Sequence, residues 1–310
     1  MKIIVTGATG FVGACLTRRL VQLEHEVHIF TRSHSNTWRM ADIEDAVVKH
    51  EVDLREANRV TQVVTEIRPQ IVYHMATYGG FAFQTDTSAI MESNLLGTIN
   101  LVRACEKVGF DYFINTGSSS EYGIKSQAMR EADLPEPLGD YGVSKAAATL
   151  FCQSEALMKG LPIVTVRLFS PYGPWDDPQR LIPYVIRSLL RGGSPKLTTP
   201  ASVRDYIYIE DAVDLYIKLL DTPKAPGTVY NLGSGCQSTI GHAVSLMEEL
   251  IGTCPTSTWG VAAKQRPEPA VWVADMQQVE RDFAWSPSTS LRDGLAKTLV
   301  WFRDNLKYYK

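Results

Sequence analysis

Tyr141 and Lys145 stand four residues apart in Tyr141-Gly142-Val143-Ser144-Lys145, a spacing that puts both side chains on one face of a helix. A phenol with an ordinary pKa near ~10 is a poor base at neutral pH. An ammonium beside it stabilises the phenolate and brings the hydroxyl towards the range where it can exchange a proton with substrate. As a bare pattern the same step is common on exposed helices, so its meaning depends on what else the chain supplies.

A second group of residues suits a different task. Gly7-Ala8-Thr9-Gly10-Phe11-Val12-Gly13 follows the first β-branched run directly and opens a helical pattern. Small residues there let the backbone turn tightly and approach a pyrophosphate, whose charge meets the free N–H groups and positive end of the helix. Gly7, Thr9, Gly10, Phe11, Val12 and Gly13 are therefore candidate cofactor contacts. NAD-preferring sites of this kind end the second strand with Asp or Glu, which binds the ribose 2′-hydroxyl. Here Glu26-Val27-His28-Ile29-Phe30 runs instead into Thr31-Arg32-Ser33. Arg32 with Ser33 can grip a 2′-phosphate through charge-assisted bonds; the bland alternative is a solvated Arg in a polar loop. The first reading prefers NADP(H), with NAD(H) as the other candidate.

The glycine spacing is GxxGxxG, where the general dinucleotide fingerprint is GxGxxG. With TGATGFVG at the first strand, YGVSK, and NTGSSSEYG from Asn115 to Gly123, the chain resembles the extended branch of the short-chain dehydrogenase/reductase superfamily, which acts on nucleotide sugars. The resemblance covers nearly the whole length. It implies that Ser118, Tyr141 and Lys145 form a catalytic triad, Ser118 bonding the substrate oxygen that gains or loses a proton and Lys145 also holding the nicotinamide ribose. Further cofactor contacts carried over from the family are Asp53 and Leu54, Ala76 and Thr77, Asn94, and Phe169. Asp53 also suits the cap of the helix that starts nearby.

Substrate contacts follow from the same resemblance. Ser119 and Ser120 flank the triad serine, and Tyr78 and Gly79 open the stretch Tyr78 to Phe83, which reads equally as a sugar pocket or as an apolar loop. Ser170 stands in RLFSPYGP where the family has Asn. Arg180 and Leu181 lie in QRLIP, a segment that in the family closes over the sugar diphosphate, and Arg204 in SVRDY serves the same phosphates. Arg266 and Glu268 lie in RPEP, one glycine short of the family's RPGEP.

The family's dehydratases carry acidic residues immediately after the triad position, and this chain has Ser119 and Ser120 there. Glu121 comes one position later, on the opposite face if the strand end is regular. Eliminating water needs a general acid and a base, which disfavours a 4,6-dehydratase unless a register shift brings Glu121 into the site. Two activities need only the triad: reduction of a nucleotide-activated 4-keto-6-deoxyhexose, and 4-epimerisation of a UDP-sugar with retained NAD. Arg32 favours the NADP(H)-dependent reductase, and the epimerase is the alternative. A non-catalytic dinucleotide-binding protein is the rival from another class, and the presence of both Tyr141 and Lys145 counts against it.

The elements that must hold these residues are legible from periodicity. Lys2 to Thr6, Glu26 to Phe30, Val47 to Val52, Gln70 to Met75, Asp111 to Thr116 and Pro162 to Phe169 read as strands, alternating with helical patterns over Phe11 to Leu23, Leu54 to Ile67, Met91 to Val108 and Tyr141 to Lys159. That alternation predicts an α/β fold with a doubly wound, Rossmann-type parallel sheet. The expected division is a dinucleotide-binding domain over 1–170 and a smaller α/β substrate lobe over 171–310, with 207–222 returning to the first. Helices 91–108 and 141–159 are expected to pair two subunits as a four-helix bundle, as the extended family often does.

Composition bounds the rest. The 310 residues are 45% hydrophobic and 21% charged with a net charge of -3, an ordinary globule with no basic excess for nucleic acid or an anionic membrane. Cys15, Cys105, Cys152, Cys236 and Cys254 are odd in number and widely spaced, which indicates neither a disulfide framework nor a metal site and fits a cytoplasmic enzyme. No run of eighteen apolar residues occurs, so no membrane span is expected.

Overall fold

The computed structural model describes residues 1–221, 224–252, 257–261 and 269–309, and these form two compact units. In chain order the elements up to the sixth strand are β1 (Lys2–Thr6), α1 (Phe11–Gln22), β2 (Glu26–Thr31), β3 (Val48–Glu51), α2 (Ala57–Ile67), β4 (Ile71–His74), α3 (Thr87–Met91), α4 (Gly97–Val108), β5 (Tyr112–Ser118), α5 (Gly139–Lys159) and β6 (Ile163–Leu168). There follow β7 (Ser170–Tyr172), α6 (Leu181–Leu190), β8 (Lys196–Leu197), β9 (Val203–Tyr208), α7 (Ile209–Asp221), β10 (Val229–Leu232), β11 (Gln237–Thr239), α8 (Ile240–Ile251), β12 (Thr258–Trp259), α9 (Gln277–Phe283) and α10 (Leu291–Asn305).

The first unit comprises Met1–Gly123, Glu131–Leu168 and Leu215–Asn231. Its seven-stranded sheet runs β10-β6-β5-β4-β1-β2-β3, and β1 pairs in parallel with both β2 and β4. Strands covered on both faces need continuous apolar runs rather than alternation; Ile3, Ile4 and Val5 are all fully buried, as are Val72 and Tyr73 in β4. From β1 the chain winds outward through β2 and β3, then crosses back to β4 and winds the other way. The reversal falls between β1 and β4, the point at which ligands bind beyond the carboxyl ends of such sheets. Helices α2 and α4 pack on one another, and α5 packs on β5 and β6. Together with Phe30, Val60, Val64, Leu101, Phe113 and Cys152 they close one apolar core.

The expected helices stand with one interruption. The single helix anticipated over Met91 to Val108 divides into α3, a five-residue π-turn at Glu92–Leu96, and α4. Gly97 N–H there bonds the carbonyl of Glu92, so one extra residue is accommodated without breaking the helix direction. The helix anticipated from Leu54 begins at Ala57. The segment of the late chain that joins the first unit is Leu215–Asn231, and it brings β10 to the sheet edge beside β6.

The second unit comprises Ile124–Arg130, Phe169–Asp214 and Leu232–Lys310. Strand β9 pairs in parallel with β7 and antiparallel with β11. The buried carboxylate of Asp205 in β9 accepts the backbone N–H groups of Ser234 (2.6 Å), Gly235 (3.1 Å) and Ala274 (2.9 Å), which fixes two chain crossings at once.

Candidate active site

At the switch point the chain turns out of β1 through Gly7, whose φ is +69°. A Cβ at Gly7 would lie 2.6 Å from the backbone N of Ala76, and one at Gly13 would lie 2.2 Å from the carbonyl oxygen of Gly7. Only glycine permits the loop to press against the end of β4 on one side and the first turn of α1 on the other. Gly10 is the N-cap of α1 and supplies no side chain to its N–H groups. This narrow cradle with an uncapped helix start fits a pyrophosphate.

Next to the cradle lies a cavity of about 210 Å³ lined by Thr6, Gly7, Thr9, Gly10, Phe30, Arg32, Ser35, Val52, Leu54, Met75, Ala76, Thr77, Tyr78 and Ser93. Of the expected cofactor contacts, Gly7, Thr9, Gly10, Arg32, Leu54, Ala76 and Thr77 lie on it, and Ser33, Thr31 and Asp53 do not. Ser35 rather than Ser33 lines the cavity, because the chain turns back after β2 and the Ser35 hydroxyl accepts the N–H of Arg32 at 2.9 Å. Thr31 bonds the carbonyl of His50 instead of facing the cavity. Asp53 is engaged by Arg55, whose Nη2 is 2.7 Å from Oδ2, and that hydrogen bond holds its carboxyl below the usual range.

Asn94 is the clearest departure from expectation. It is buried in the π-turn, and its amide donates to the carbonyl of Tyr78 (2.7 Å) and the hydroxyl of Ser144 (2.9 Å). Its oxygen accepts from Tyr78 N–H (2.8 Å) and the Thr77 hydroxyl (3.3 Å). All four hydrogen-bonding positions of the amide are used, so Asn94 ties the loop after β4 to α5 and keeps nothing for a ligand. Gly79 takes φ +92° with its N–H on Gln84, and Phe81 and Phe83 stack at 5.4 Å between ring centroids beyond it.

The three residues expected to form a triad, Ser118, Tyr141 and Lys145, come from β5 and α5. Ser118 ends β5 and caps the short turn Ser119–Glu121, its hydroxyl accepting from Ser120 N–H at 3.1 Å. Tyr141 and Lys145 lie in the first two turns of α5. Lys145 is buried and donates to the carbonyl of Thr116 at 2.5 Å, two residues before Ser118. Gly142 completes the approach: a Cβ there would lie 2.8 Å from the carbonyl oxygen of Ser120. Helix α5 therefore starts directly against the turn that carries Ser118, Ser119 and Ser120.

Glu121 does not enter this site. It is fully buried, with Oε2 2.8 Å from Nε of Arg167 and Oε1 accepting from Ser118 N–H at 2.8 Å. Burial raises its pKa against the opposing pull of Arg167.

In the second unit, Ser170 pairs with Tyr206 between β7 and β9, and Phe169 is buried with its N–H on the carbonyl of Leu232. Arg180 is the N-cap of α6, followed by Leu181, and its Nε is 3.8 Å from Asp176. Arg204 directs Nη1 to the carbonyl of Val203 at 2.6 Å. Arg266 and Glu268 lie outside the described residues.

Some neighbours of the site carried no sequence signal. Arg39 is buried beside the glycine loop, Nη1 3.4 Å from the carbonyl of Thr9 and its guanidinium 4.6 Å from the centre of the Trp38 ring. It sits in an irregular connection where periodicity says nothing. Among the described residues no helix is long and apolar enough to cross a membrane, and no group of His, Cys, Asp or Glu is arranged to hold a metal ion.

The model of the NAD dependent epimerase/dehydratase family matches residues 3–233, which includes the glycine loop, the Ser118 turn and the Tyr141-Lys145 helix. The chain belongs to that family. Among its relatives, a dTDP-glucose 4,6-dehydratase of Streptomyces antibioticus is 25% identical over 100% of this chain and 95% of its own length. The structure of UDP-glucuronic acid 4-epimerase from Bacillus cereus, in complex with UDP-glucuronic acid and NAD, is 28% identical with a TM-score of 0.88, covering 98% of this chain and 100% of that one. A UDP-glucose 4-epimerase from Thermotoga maritima, solved with UDP-glucose, shares the fold at TM-score 0.91 and 23% identity over 99% of this chain and 100% of that one. As a family member, the chain is an enzyme of the epimerase/dehydratase type on a Rossmann sheet.

Proposed function

We propose that the protein is an NADP(H)-dependent reductase of a nucleotide-activated 4-keto-6-deoxyhexose. The observation that carries this reading is Arg32 on the cavity lining at the end of β2, the place where a carboxylate would favour NAD. The glycine cradle and the start of α1 would hold the pyrophosphate, Arg32 and Ser35 the 2′-phosphate, Leu54, Ala76 and Thr77 the adenosine side, and Tyr141 and Lys145 the nicotinamide ribose. When bound, the cofactor supplies the hydride. Ser118 orients the keto oxygen, Tyr141 gives it a proton, and Lys145 offsets the charge left on the phenol. On the substrate side, Tyr78, Gly79, Ser119 and Ser120 would face the sugar, while Ser170, Arg180, Leu181, Arg204, Arg266 and Glu268 keep the nucleotide-diphosphate roles that the motifs imply.

The location of Glu121 supports reduction over dehydration. With Ser119 and Ser120 in the two positions after the triad serine and Glu121 paired to Arg167, the turn presents no carboxyl acid for removal of water. A second reading, a UDP-sugar 4-epimerase with retained NAD, is favoured by the Bacillus cereus relative and its NAD complex.

The deciding experiment is to release and identify any bound cofactor from the purified protein. NADPH is then offered with a panel of nucleotide 4-keto-6-deoxyhexoses. NADPH oxidation that is lost in Tyr141→Phe supports the reductase, whereas stoichiometric NAD and interconversion of UDP-hexoses would install the epimerase instead. Arg32→Ala is expected to raise KM for NADPH about tenfold or more, the scale of one lost charge-assisted bond, with KM for NADH little changed. Equal effects on both cofactors would remove the 2′-phosphate role.

A further inference from the structure

The site rests on a carboxylate that substrate never meets. Glu121 joins three elements of the first unit at one buried point: Oε1 accepts the N–H of Ser118 at the end of β5 (2.8 Å) and the hydroxyl of Thr149 in α5 (3.1 Å), while Oε2 accepts Nε of Arg167 in β6 (2.8 Å). Thr149 lies one helical turn beyond Lys145 on the same face. Gly117 makes room, since a Cβ there would come within 2.5 Å of Oε1. Arg167 is itself fixed, with Nη1 on the carbonyl of Glu131 at 3.2 Å and its guanidinium 4.5 Å from the centre of the Tyr122 ring.

We propose that Glu121 is a positioning residue, whose carboxylate locks the backbone of Ser118 to helix α5 and so sets the Ser118 hydroxyl in register with Tyr141 and Lys145. The inference rests on the triad reading given above. Ser118 is held from both sides. Its hydroxyl receives Ser120 N–H, and its own N–H is received by Glu121, as in a capping box compressed into a single turn. The Thr149 bond adds a direct tie to the helix that bears the phenol and the ammonium. Arg167 supplies the charge that lets a carboxylate stay there without solvent.

Two double variants separate positioning from bulk stability, because neither leaves Arg167 charged and unpaired. Glu121→Gln/Arg167→Gln keeps an acceptor for Ser118 N–H. Glu121→Val/Arg167→Met fills the same space and keeps none. In the protein without added substrate or cofactor, hydrogen exchange across 112–123 is expected to stay near wild type in the first and to rise several-fold in the second. For whichever nucleotide sugar the protein turns over, kcat is expected to stay within about threefold in the first and to fall roughly 10- to 100-fold in the second, the cost of a small misplacement. KM for the sugar and the dissociation constant for NADPH, read by fluorescence, are expected to change less than about twofold in both, which a general loss of structure would not produce.

Equal kcat and equal exchange in the two double variants would overturn the proposal. Should the apolar pair not fold, Thr149→Val cuts only the tie to α5. A several-fold fall in kcat at unchanged KM then supports positioning, and an unchanged kcat overturns it. Tyr141→Phe is run alongside. If that variant remains active the triad reading itself has failed, whereas an inactive Tyr141→Phe with two equally active double variants sinks the role of Glu121 alone.

Discussion

His74 shows how closely single residues are specified around the site. At the end of β4 it is buried, with Nδ1 2.7 Å from the Thr6 hydroxyl and Nε2 2.8 Å from that of Thr98. Thr98 spends its one proton on the carbonyl of Asn94 at 2.6 Å, so Nε2 carries the ring proton and Nδ1 accepts from Thr6. A second ring proton would meet a Thr6 oxygen that already accepts the N–H groups of Met75 (3.1 Å) and Ala76 (3.2 Å). Burial, reinforced by the charge of Lys145, brings the pKa from 6.5 down to about 3. The unfolded chain takes up that proton near pH 6.5 and the folded one only near 3, so the unfolded state binds more protons in between and stability falls as pH falls through that window. The slope from this one group is at most about 1.4 kcal/mol per pH unit. Urea unfolding of wild type and His74→Asn between pH 7 and 4 measures it. The variant is expected to be less stable at pH 7 yet to lose stability less steeply on acidification, since the buried carboxylates contribute to both proteins alike; parallel slopes would show that the histidine is not held neutral.

Within each element, packing decides what helical or strand spacing leaves open. Gly13 lies in the first turn of α1, where helix propensity alone would make Ala more stable by ~1 kcal/mol. Packing opposes this, because the added methyl would sit 2.2 Å from a backbone oxygen that cannot yield without moving the glycine loop. Overpacking of this kind costs about 1–3 kcal/mol, so Gly13→Ala is expected to lower the unfolding free energy and to weaken dinucleotide binding together. Calorimetry and a fluorescence titration check it, and a stabilised variant with full affinity would refute it. The glycine loop was legible because its function demands small residues immediately between a strand and a helix. β1, β2 and α5 were legible because apolar runs and helical spacing set them almost unaided. Asn94 was not, since nothing in a helical pattern marks an extra residue, and the four bonds that consume its amide come from Tyr78, Thr77 and Ser144, distant in the chain. Ser35 and Arg39 stand in an irregular connection whose path is set by packing on α1. Glu121 was visible as an acid three residues after Ser118, but its direction depended on Arg167, forty-six residues away.

For the whole molecule, the outstanding feature of the first unit is the surface of α5. Val143, Leu150 and Leu157 recur every seven residues and are 41%, 55% and 73% exposed, an apolar stripe of the kind that helices bury against a partner helix. We propose that two copies meet there. Light scattering after size exclusion should give twice the chain mass for wild type and a single chain mass for Leu150→Glu/Leu157→Glu; a monomeric wild type at micromolar concentration would end the idea. The π-turn at Glu92–Leu96 adds a constraint on chain length. Removing one residue there would let α3 and α4 fuse into a regular helix with their faces still in phase, because the wide turn already absorbs the extra residue. Asn94 would be displaced from its bonds to the loop after β4, while the apolar face of α4 would stay against α2. Substitutions at the exposed positions of this turn should therefore be tolerated far better than single-residue deletions, so related chains that share its bonds should hold this stretch at fixed length while their surface loops vary.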